Sequence, residues 1–201
     1  MPEPAPLVVM ALPLESRDEF ARIAVPVLYT GIGKVNAAIV LTRELAARRA
    51  AGVTLPLVLN FGTAGSPSLP THSLVACNRF VQRDMDVSGL GFAPGVTPYE
   101  DGVPAELAFP PVFEGLAQTV CGSGDRFETG APRVACDVID MEAYALAKVC
   151  WLEGVAFGCA KYVTDGADHA AADDWRQNLP RAARAFVELY TSLHPVHPVH
   201  P

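Results

Sequence analysis

The hydrophobic residues of the chain form short continuous runs that alternate with longer stretches of helical spacing. The runs lie at residues 6–12, 24–30, 55–62, 73–81, 117–124 and 155–165. Several are too continuously apolar for a strand with one solvated face, so they predict strands covered on both faces. Apolar residues at helical spacing predict helices at 34–50, 140–153 and 173–193. This alternation predicts an α/β fold with a largely parallel or mixed sheet.

Residues 82–111 interrupt the alternation. This segment is dense in glycine and proline and is long for a connection, and long structured loops are often functional. We predict a single domain over residues 1–193, followed at 194–201 by the repeat HPVHPVHP. Polyproline II geometry would align the histidines of this repeat, but a frayed tail explains it better than a metal site.

Composition and charge narrow the class of partner. The 201 residues are 50% hydrophobic with a formal net charge of −7, which predicts a substantial core and no nucleic-acid partner, because phosphate neutralisation supplies most of that affinity. Apolar runs fall short of the ~20 residues of a membrane span, and the N-terminus lacks the basic region of a signal peptide. The five irregularly spaced cysteines predict free thiols. We therefore expect a cytoplasmic protein with no membrane association.

Familiar cofactor and nucleophile motifs do not match the sequence. GIGKVN at 31–36 lacks the third glycine of a dinucleotide fingerprint, and the Walker pattern is absent. Ser123 lacks the flanking pattern of a nucleophile elbow, and neither His72 nor His169 has a ligand-like partner nearby in sequence. We predict neither a metal site nor a cofactor.

Acidic residues follow several predicted strands, beside small residues. The acids are Glu15, Asp140, Glu142, Asp165 and Asp168, and the small-residue stretches are NFGTAG (60–65) and GSGDRF (122–127). Small residues let a flat ligand approach the backbone closely. Because ligands of open α/β sheets bind outside the carboxyl ends of the strands, these segments are predicted to converge on one site.

Each acid also has a structural explanation. Asp140 can cap the following helix, and Glu142 can favour its first turn through the helix dipole. Asp165 and Asp168 can form a turn, and Glu15 can be the first-turn acid of a helix. The functional interpretation depends on the coincidence of such features at successive strand ends.

Seven blocks of sequence carry a family resemblance. They are ALPLE (11–15), TGIGKVNAA (30–38), NFGTAG (60–65), DMDVSGLGF (84–92), GSGDRF (122–127), IDMEAYALAKVC (139–150) and KYVTDGAD (161–168). In this order they resemble the purine nucleoside phosphorylase/nucleosidase superfamily, and most of all 5′-methylthioadenosine/S-adenosylhomocysteine nucleosidases. The resemblance implies a three-layer α/β sandwich with a central mixed, partly barrel-like sheet flanked by helices. It also implies a homodimer in which residues 84–92 reach toward the partner's site.

The resemblance further implies cleavage of the N-glycosidic bond of a purine nucleoside, with two catalytic carboxylates. Asp165 would protonate or hydrogen-bond purine N7, which requires a raised pKa and therefore a half-buried site. Glu15 would position the attacking water on the opposite face from the base, following the logic of inverting glycosidases.

Other matching residues are implied to bind the substrate. Glu142 would accept hydrogen bonds from the ribose hydroxyls, Met141 would pack against the ribose, and Phe127 would stack on the purine. The remaining residues of the predicted binding site are Ile32, Thr63, Ala64, Gly65 and Glu128.

The chain also departs from the family pattern. Lys161 stands where nucleosidases usually carry arginine, and Asp140 replaces the common glutamate. Leu90 stands where an aromatic residue of the neighbouring subunit often covers the 5′ group, and Glu128 lies near the purine edge at a usually apolar position. The last two departures leave the base and the 5′ substituent open.

The nucleophile is predicted from another position. Phosphorylases of the superfamily carry an arginine at the head of the block that here begins with Asn60, and phosphate would need fixed cationic donors. Arg17 and Arg22 follow Glu15 but fall in a predicted helix. Hydrolysis is therefore favoured, with a phosphorylase of the same fold and a non-catalytic nucleoside-binding protein as the alternatives.

Overall fold

The computed structural model describes residues 4–126, 133–167 and 171–193, and within these ranges eight strands form one sheet. The strands are β1 (Leu7–Met10), β2 (Val27–Tyr29), β3 (Val58–Gly65), β4 (Leu74–Gln82), β5 (Glu106–Ala108), β6 (Gln118–Ser123), β7 (Val138–Asp140) and β8 (Phe157–Asp165). The helices are α1 (Pro13–Ser16), α2 (Glu19–Arg22), α3 (Lys34–Ala50), α4 (Ala143–Glu153) and α5 (Ala171–Leu193).

The sheet is mixed and partly closed on itself. β3 pairs with β8 in parallel, β8 with β4 in antiparallel, and β4 with β6 and β6 with β7 in parallel. The ring closes where Gly65 of β3 pairs with Ile139 of β7. β1 and β2 extend the sheet beyond β3, and β5 extends it beyond β4. The predicted mixed, partly barrel-like sheet is confirmed.

Helices cover the sheet on two sides, each over its own apolar cluster. Leu41 and Leu45 of α3 are fully buried in one cluster, together with residues of α4 and the barrel strands. On the other side Phe186 of α5 packs against Phe61 of β3 with ring centroids 5.5 Å apart. Burying an aromatic or leucine side chain of this size stabilises a fold by about 1.5–3 kcal/mol. The predicted three-layer arrangement is confirmed.

The element boundaries refine the sequence prediction at two places. The segment 82–111, predicted as a connection, contains the short strand β5, which pairs with the end of β4. α4 begins at Ala143 rather than at residue 140, because Asp140 belongs to β7 and pairs with Ser123 of β6. In the described part of the chain, no helix combines the length and the apolar character needed to cross a membrane.

Candidate active site

The ends of β1, β3, β7 and β8 border one pocket of about 240 Å³. Every predicted site residue within the described ranges lies on its wall. These residues are Glu15, Ile32, Thr63, Ala64, Gly65, Met141, Glu142 and Asp165. Phe127 and Glu128 lie outside the described residues, as does Asp168.

Glu15 is held at the wall by the strand opposite it. The short helix α1 directly follows β1, and this places the Glu15 carboxylate over β3, where the residue is only 5% exposed. Its Oε1 accepts hydrogen bonds from the backbone N–H of Thr63 at 2.9 Å and from the Thr63 hydroxyl at 2.7 Å. Its Oε2 accepts a longer bond of 3.3 Å from the N–H of Leu12. Glu15 is therefore a first-turn acid that is also fixed toward the pocket.

Asp165 ends β8 on the same wall and is 4% exposed. Its Oδ2 accepts a hydrogen bond from the Thr164 hydroxyl at 2.8 Å, and its Oδ1 accepts one from the N–H of Ala167 at 3.0 Å. A Cβ atom on Gly65 would lie 2.6 Å from Oδ1. The small residue at position 65 thus makes room for a carboxylate as well as for a ligand.

Lys161 and Asp140, the residues at two positions that differ from the family pattern, form an ion pair. Lys161 lies inside the barrel, and its Nζ is 2.8 Å from Oδ2 of Asp140. Burial alone lowers the pKa of Lys161 and raises that of Asp140, but the opposite charges reverse both directions, so the pair stays charged. Breaking a buried pair of this kind is strongly destabilising because one charge is left uncompensated.

Asp140 also anchors the start of α4. Its Oδ2 accepts a hydrogen bond from the N–H of Ala143 at 2.8 Å, and its Oδ1 accepts one from the Ser123 hydroxyl. The same hydroxyl accepts a bond from the N–H of Tyr144 at 2.8 Å. These contacts support the structural interpretation of Asp140 as a residue that satisfies the first turn of the helix.

Glu142 behaves differently from Asp140. It occupies the N-cap position of α4, yet its side chain makes no capping hydrogen bond. Instead its Oε1 accepts a bond of 2.8 Å from the N–H of Gly33, at the start of α3. Burial, followed by the nearby charge of Asp140, raises the pKa of Glu142 to about 8. The helix-cap explanation therefore does not account for this carboxyl group, which faces the pocket.

The pocket wall includes residues that sequence reasoning missed. Arg83 follows β4, and its Nη2 donates to the carbonyl oxygens of Gly124 at 3.4 Å and Arg126 at 2.5 Å. Arg126 lines the pocket as well, and so does Trp175 of α5. The position of Arg83 after a strand was a usable signal, whereas nothing local in the sequence distinguishes Trp175.

Comparison with known proteins identifies the family of the chain. Residues 20–193 match the family model of the phosphorylase superfamily. The chain is 31% identical to a 5′-methylthioadenosine/S-adenosylhomocysteine nucleosidase of Geobacillus kaustophilus, with 89% of this chain and 82% of that protein aligned. It is 30% identical to the nucleosidase of the same name from Actinobacillus succinogenes, over 85% of this chain and 80% of that protein.

A solved structure gives the same picture of the fold. A mutant of the Helicobacter pylori nucleosidase, with 5′-methylthioadenosine in its active site, superposes with a TM-score of 0.81 at 21% identity. The superposition covers 96% of this chain and 98% of that one. The chain thus belongs to the phosphorylase superfamily and, within it, to the family of 5′-methylthioadenosine/S-adenosylhomocysteine nucleosidases.

Proposed function

We propose that the protein is a purine nucleosidase that hydrolyses the N-glycosidic bond of a nucleoside such as 5′-methylthioadenosine or S-adenosylhomocysteine. The observation that carries the proposal is the convergence of Glu15, Glu142 and Asp165 on one pocket, each held by different partners. The relatives of about 30% identity, which bear the nucleosidase name, support the same activity.

The reaction needs a better leaving group and a stabilised ribose cation. N-glycosidic cleavage passes through a transition state in which the ribose resembles an oxocarbenium ion and electrons move into the base. Asp165 would protonate or hydrogen-bond purine N7 and so stabilise the negative charge that develops on the base, as a general acid does. Asp165 is buried, so bulk water has little access to its carboxyl group.

Glu15 is suited to the opposite task of holding water. Both hydrogen bonds from Thr63 converge on Oε1, while among the described residues Oε2 receives only the long bond from Leu12. Oε2 is therefore the oxygen with capacity to accept a proton from a water molecule. The water would add to the anomeric carbon as the bond to the base breaks, and its proton would pass to Glu15.

The contacts of Asn60, Arg22 and Arg83 support water rather than phosphate as the nucleophile. Asn60 is buried, and its amide donates to the carbonyl oxygens of Val9 and Phe61, so it points into the fold. Arg22 pairs with Glu19 in α2, away from the pocket. The Nη2 group of Arg83 binds backbone carbonyls rather than presenting itself as a phosphate ligand.

Substrate turnover tests the proposal. The protein is incubated with methylthioadenosine, S-adenosylhomocysteine, adenosine, inosine and guanosine, with and without phosphate, and the free base is measured by chromatography. We expect base release that does not depend on phosphate. Strict phosphate dependence would instead establish a phosphorylase, and ligand binding without any release would establish a binding protein.

Replacing Glu142 tests ribose recognition and its pH dependence. The charged carboxylate can accept hydrogen bonds from both ribose hydroxyls, so we expect KM of the wild type to fall as the pH rises through about 8, the pKa of this group. Glu142→Gln should raise KM about 10-fold above pH 8, the size of one lost bond to a charged group, and should remove this pH dependence. Steady-state kinetics between pH 6 and 9.5 measure both effects.

Stability measurements separate this role from a structural one. Because the pKa of Glu142 is raised in the folded protein, the free energy of unfolding of the wild type should decrease as the pH rises from about 4.5 to about 8. In Glu142→Gln this contribution to the pH dependence of the free energy of unfolding should be absent. Glu44→Gln, a change at a half-buried residue of α3 that pairs with Arg48 and lies outside the pocket wall, is the matched control and should leave KM unchanged. A Glu142→Gln protein with wild-type KM and altered melting alone would restore the helix interpretation.

We also propose a homodimer with the pocket mouth at its interface. Ile32, Val35 and Ile39 are 50%, 66% and 44% exposed. Val35 and Ile39 are four residues apart on α3 and share one face, and Ile32 lies just before the helix. Ile32 and Val35 line a second pocket, which shares Ile32 and Met141 with the main one. A second copy would cover this apolar face. Analytical ultracentrifugation should give the mass of a dimer for the wild type. Val35→Asp should shift the equilibrium toward the monomer. A wild type that is monomeric at high concentration would refute the proposal.

A cytoplasmic location is the compartment we propose. All five cysteines are free thiols, and four of them are buried. Free thiols are typical of the reducing cytosol. Fractionation of the native cells should recover the protein with cytosolic markers.

A further inference from the structure

Trp175 is joined to Glu15 by a short chain of hydrogen bonds. The indole Nε1–H of Trp175 donates to Oγ1 of Thr63 at 2.8 Å. The Thr63 hydroxyl in turn donates to Oε1 of Glu15 at 2.7 Å, and the Thr63 N–H donates to the same oxygen at 2.9 Å. All three residues line the same pocket. The hydrogen bonds therefore connect α5, β3 and α1.

The chemistry of the three groups gives the chain one direction. An indole N–H can only donate, and a hydroxyl has one hydrogen and two lone pairs. With Trp175 donating to a lone pair of Oγ1, the single hydrogen of Thr63 is free to point at Glu15. A hydroxyl that rotates freely would spend part of its time directed elsewhere. Trp175 therefore fixes the orientation of the donor that holds Oε1.

The helix that carries Trp175 is itself anchored beside the reacting groups. Leu179 and Phe186 bury one face of α5 against the sheet. Asn178, one turn after Trp175, donates from Nδ2 to the carbonyl oxygen of Thr164 at 2.8 Å, next to Asp165. These contacts let the indole act as a fixed donor rather than as a mobile cover of the pocket.

We infer that Trp175 is a positioning residue for Glu15, acting through Thr63. With Oε1 saturated by Thr63, Oε2 is the oxygen left to face water. This inference rests on the proposed hydrolase function, in which Glu15 accepts a proton from the attacking water. The indole makes no contact with the reacting atoms in this role and contributes by holding the base in one orientation.

Trp175→Phe tests the inference because it keeps an aromatic ring in the pocket wall and removes the indole N–H. We expect kcat to fall about 5- to 10-fold, the effect of one net hydrogen bond, while KM changes less than about twofold. Thr63→Val should lower kcat at least as much. In the Thr63→Val background Trp175→Phe should have no further effect on kcat, because the chain is already interrupted.

Trp151→Phe is the matched control. Trp151 is the other tryptophan of the chain, lies on α4 against Phe109 and is not part of the pocket wall. Its replacement should leave kcat and KM at wild-type values. Wild-type kcat in Trp175→Phe, or additive losses in the double variant, would overturn the inference and leave the proposed function intact.

An NMR measurement reads the hydrogen bond without turnover. In the Trp151→Phe protein labelled with ¹⁵N, one indole signal remains, that of Trp175. Thr63→Val should shift this signal and speed the exchange of its proton with water. An unchanged signal would refute the hydrogen bond itself. A wild type that releases no base from any nucleoside would refute the proposed function, and with it the catalytic meaning of the chain.

Discussion

Asp165→Asn is expected to lower kcat by at least ~10²-fold, the lower end of what a general acid contributes. Asparagine keeps the shape of the side chain, and its carbonyl oxygen can still accept the bond that Oδ1 receives from the N–H of Ala167. Its amide group then takes the place of Oδ2, where it can donate to the Thr164 hydroxyl oxygen. It cannot deliver a proton to the purine. Binding of the nucleoside should therefore persist while bond cleavage slows. Steady-state kinetics with a nucleoside that the wild type cleaves measure kcat of both proteins.

A comparison of leaving groups identifies the lost function as acid catalysis. A ribose derivative with p-nitrophenolate as leaving group needs little protonation, so Asp165→Asn should slow its hydrolysis far less than that of a purine nucleoside. Asp173→Asn is the matched control, because Asp173 is an exposed acid of α5 paired with Arg176. Near-normal cleavage of purine nucleosides by Asp165→Asn would remove Asp165 from the mechanism.

Hydrophobic pattern predicted most of the fold because buried strands and an Ala/Leu-rich helix leave strong local signals. The helix predicted at 34–50 coincides with α3, and β8 lies within the run 155–165. β5 was not predicted, since a strand of three residues paired only at the edge leaves too little pattern to distinguish from a loop. The closure of the barrel depends on pairings far apart in sequence, which apolar periodicity does not encode.

Some features of the candidate site could likewise be predicted from the sequence, and others could not. Acids at strand ends were visible in the sequence because the carboxyl ends of strands form a known place for ligands. The pairing of Lys161 with Asp140 was not deduced, although both had been noted as departures from the family pattern. Trp175 was missed because its role depends on a hydrogen bond to Thr63 across the pocket. Contacts between side chains on separate elements require the three-dimensional register.

The second large effect is expected at Glu15. Glu15→Gln should lower kcat at least ~10²-fold with little change in melting temperature. The carbonyl oxygen of glutamine can take the place of Oε1 and accept both bonds from Thr63. Its amide nitrogen then occupies the position of Oε2, where it loses the long bond from the N–H of Leu12 and cannot accept a proton from water. The substitution thus preserves the packing and removes the base.

Kinetics of Glu15→Gln and Glu19→Gln separate the base from general effects of charge. Glu19 is the neighbouring acid in α2, pairs with Arg22 and lies outside the pocket, so its replacement changes the net charge equally without touching the site. Glu19→Gln should keep wild-type kcat. If Glu15→Gln also retained a near-normal rate with a purine nucleoside, the attacking water would be held by another group, and the Trp175–Thr63–Glu15 chain would have no catalytic purpose. A loss confined to Glu15→Gln, combined with the leaving-group response of Asp165→Asn, would assign the two halves of the hydrolysis to two carboxylates of one pocket.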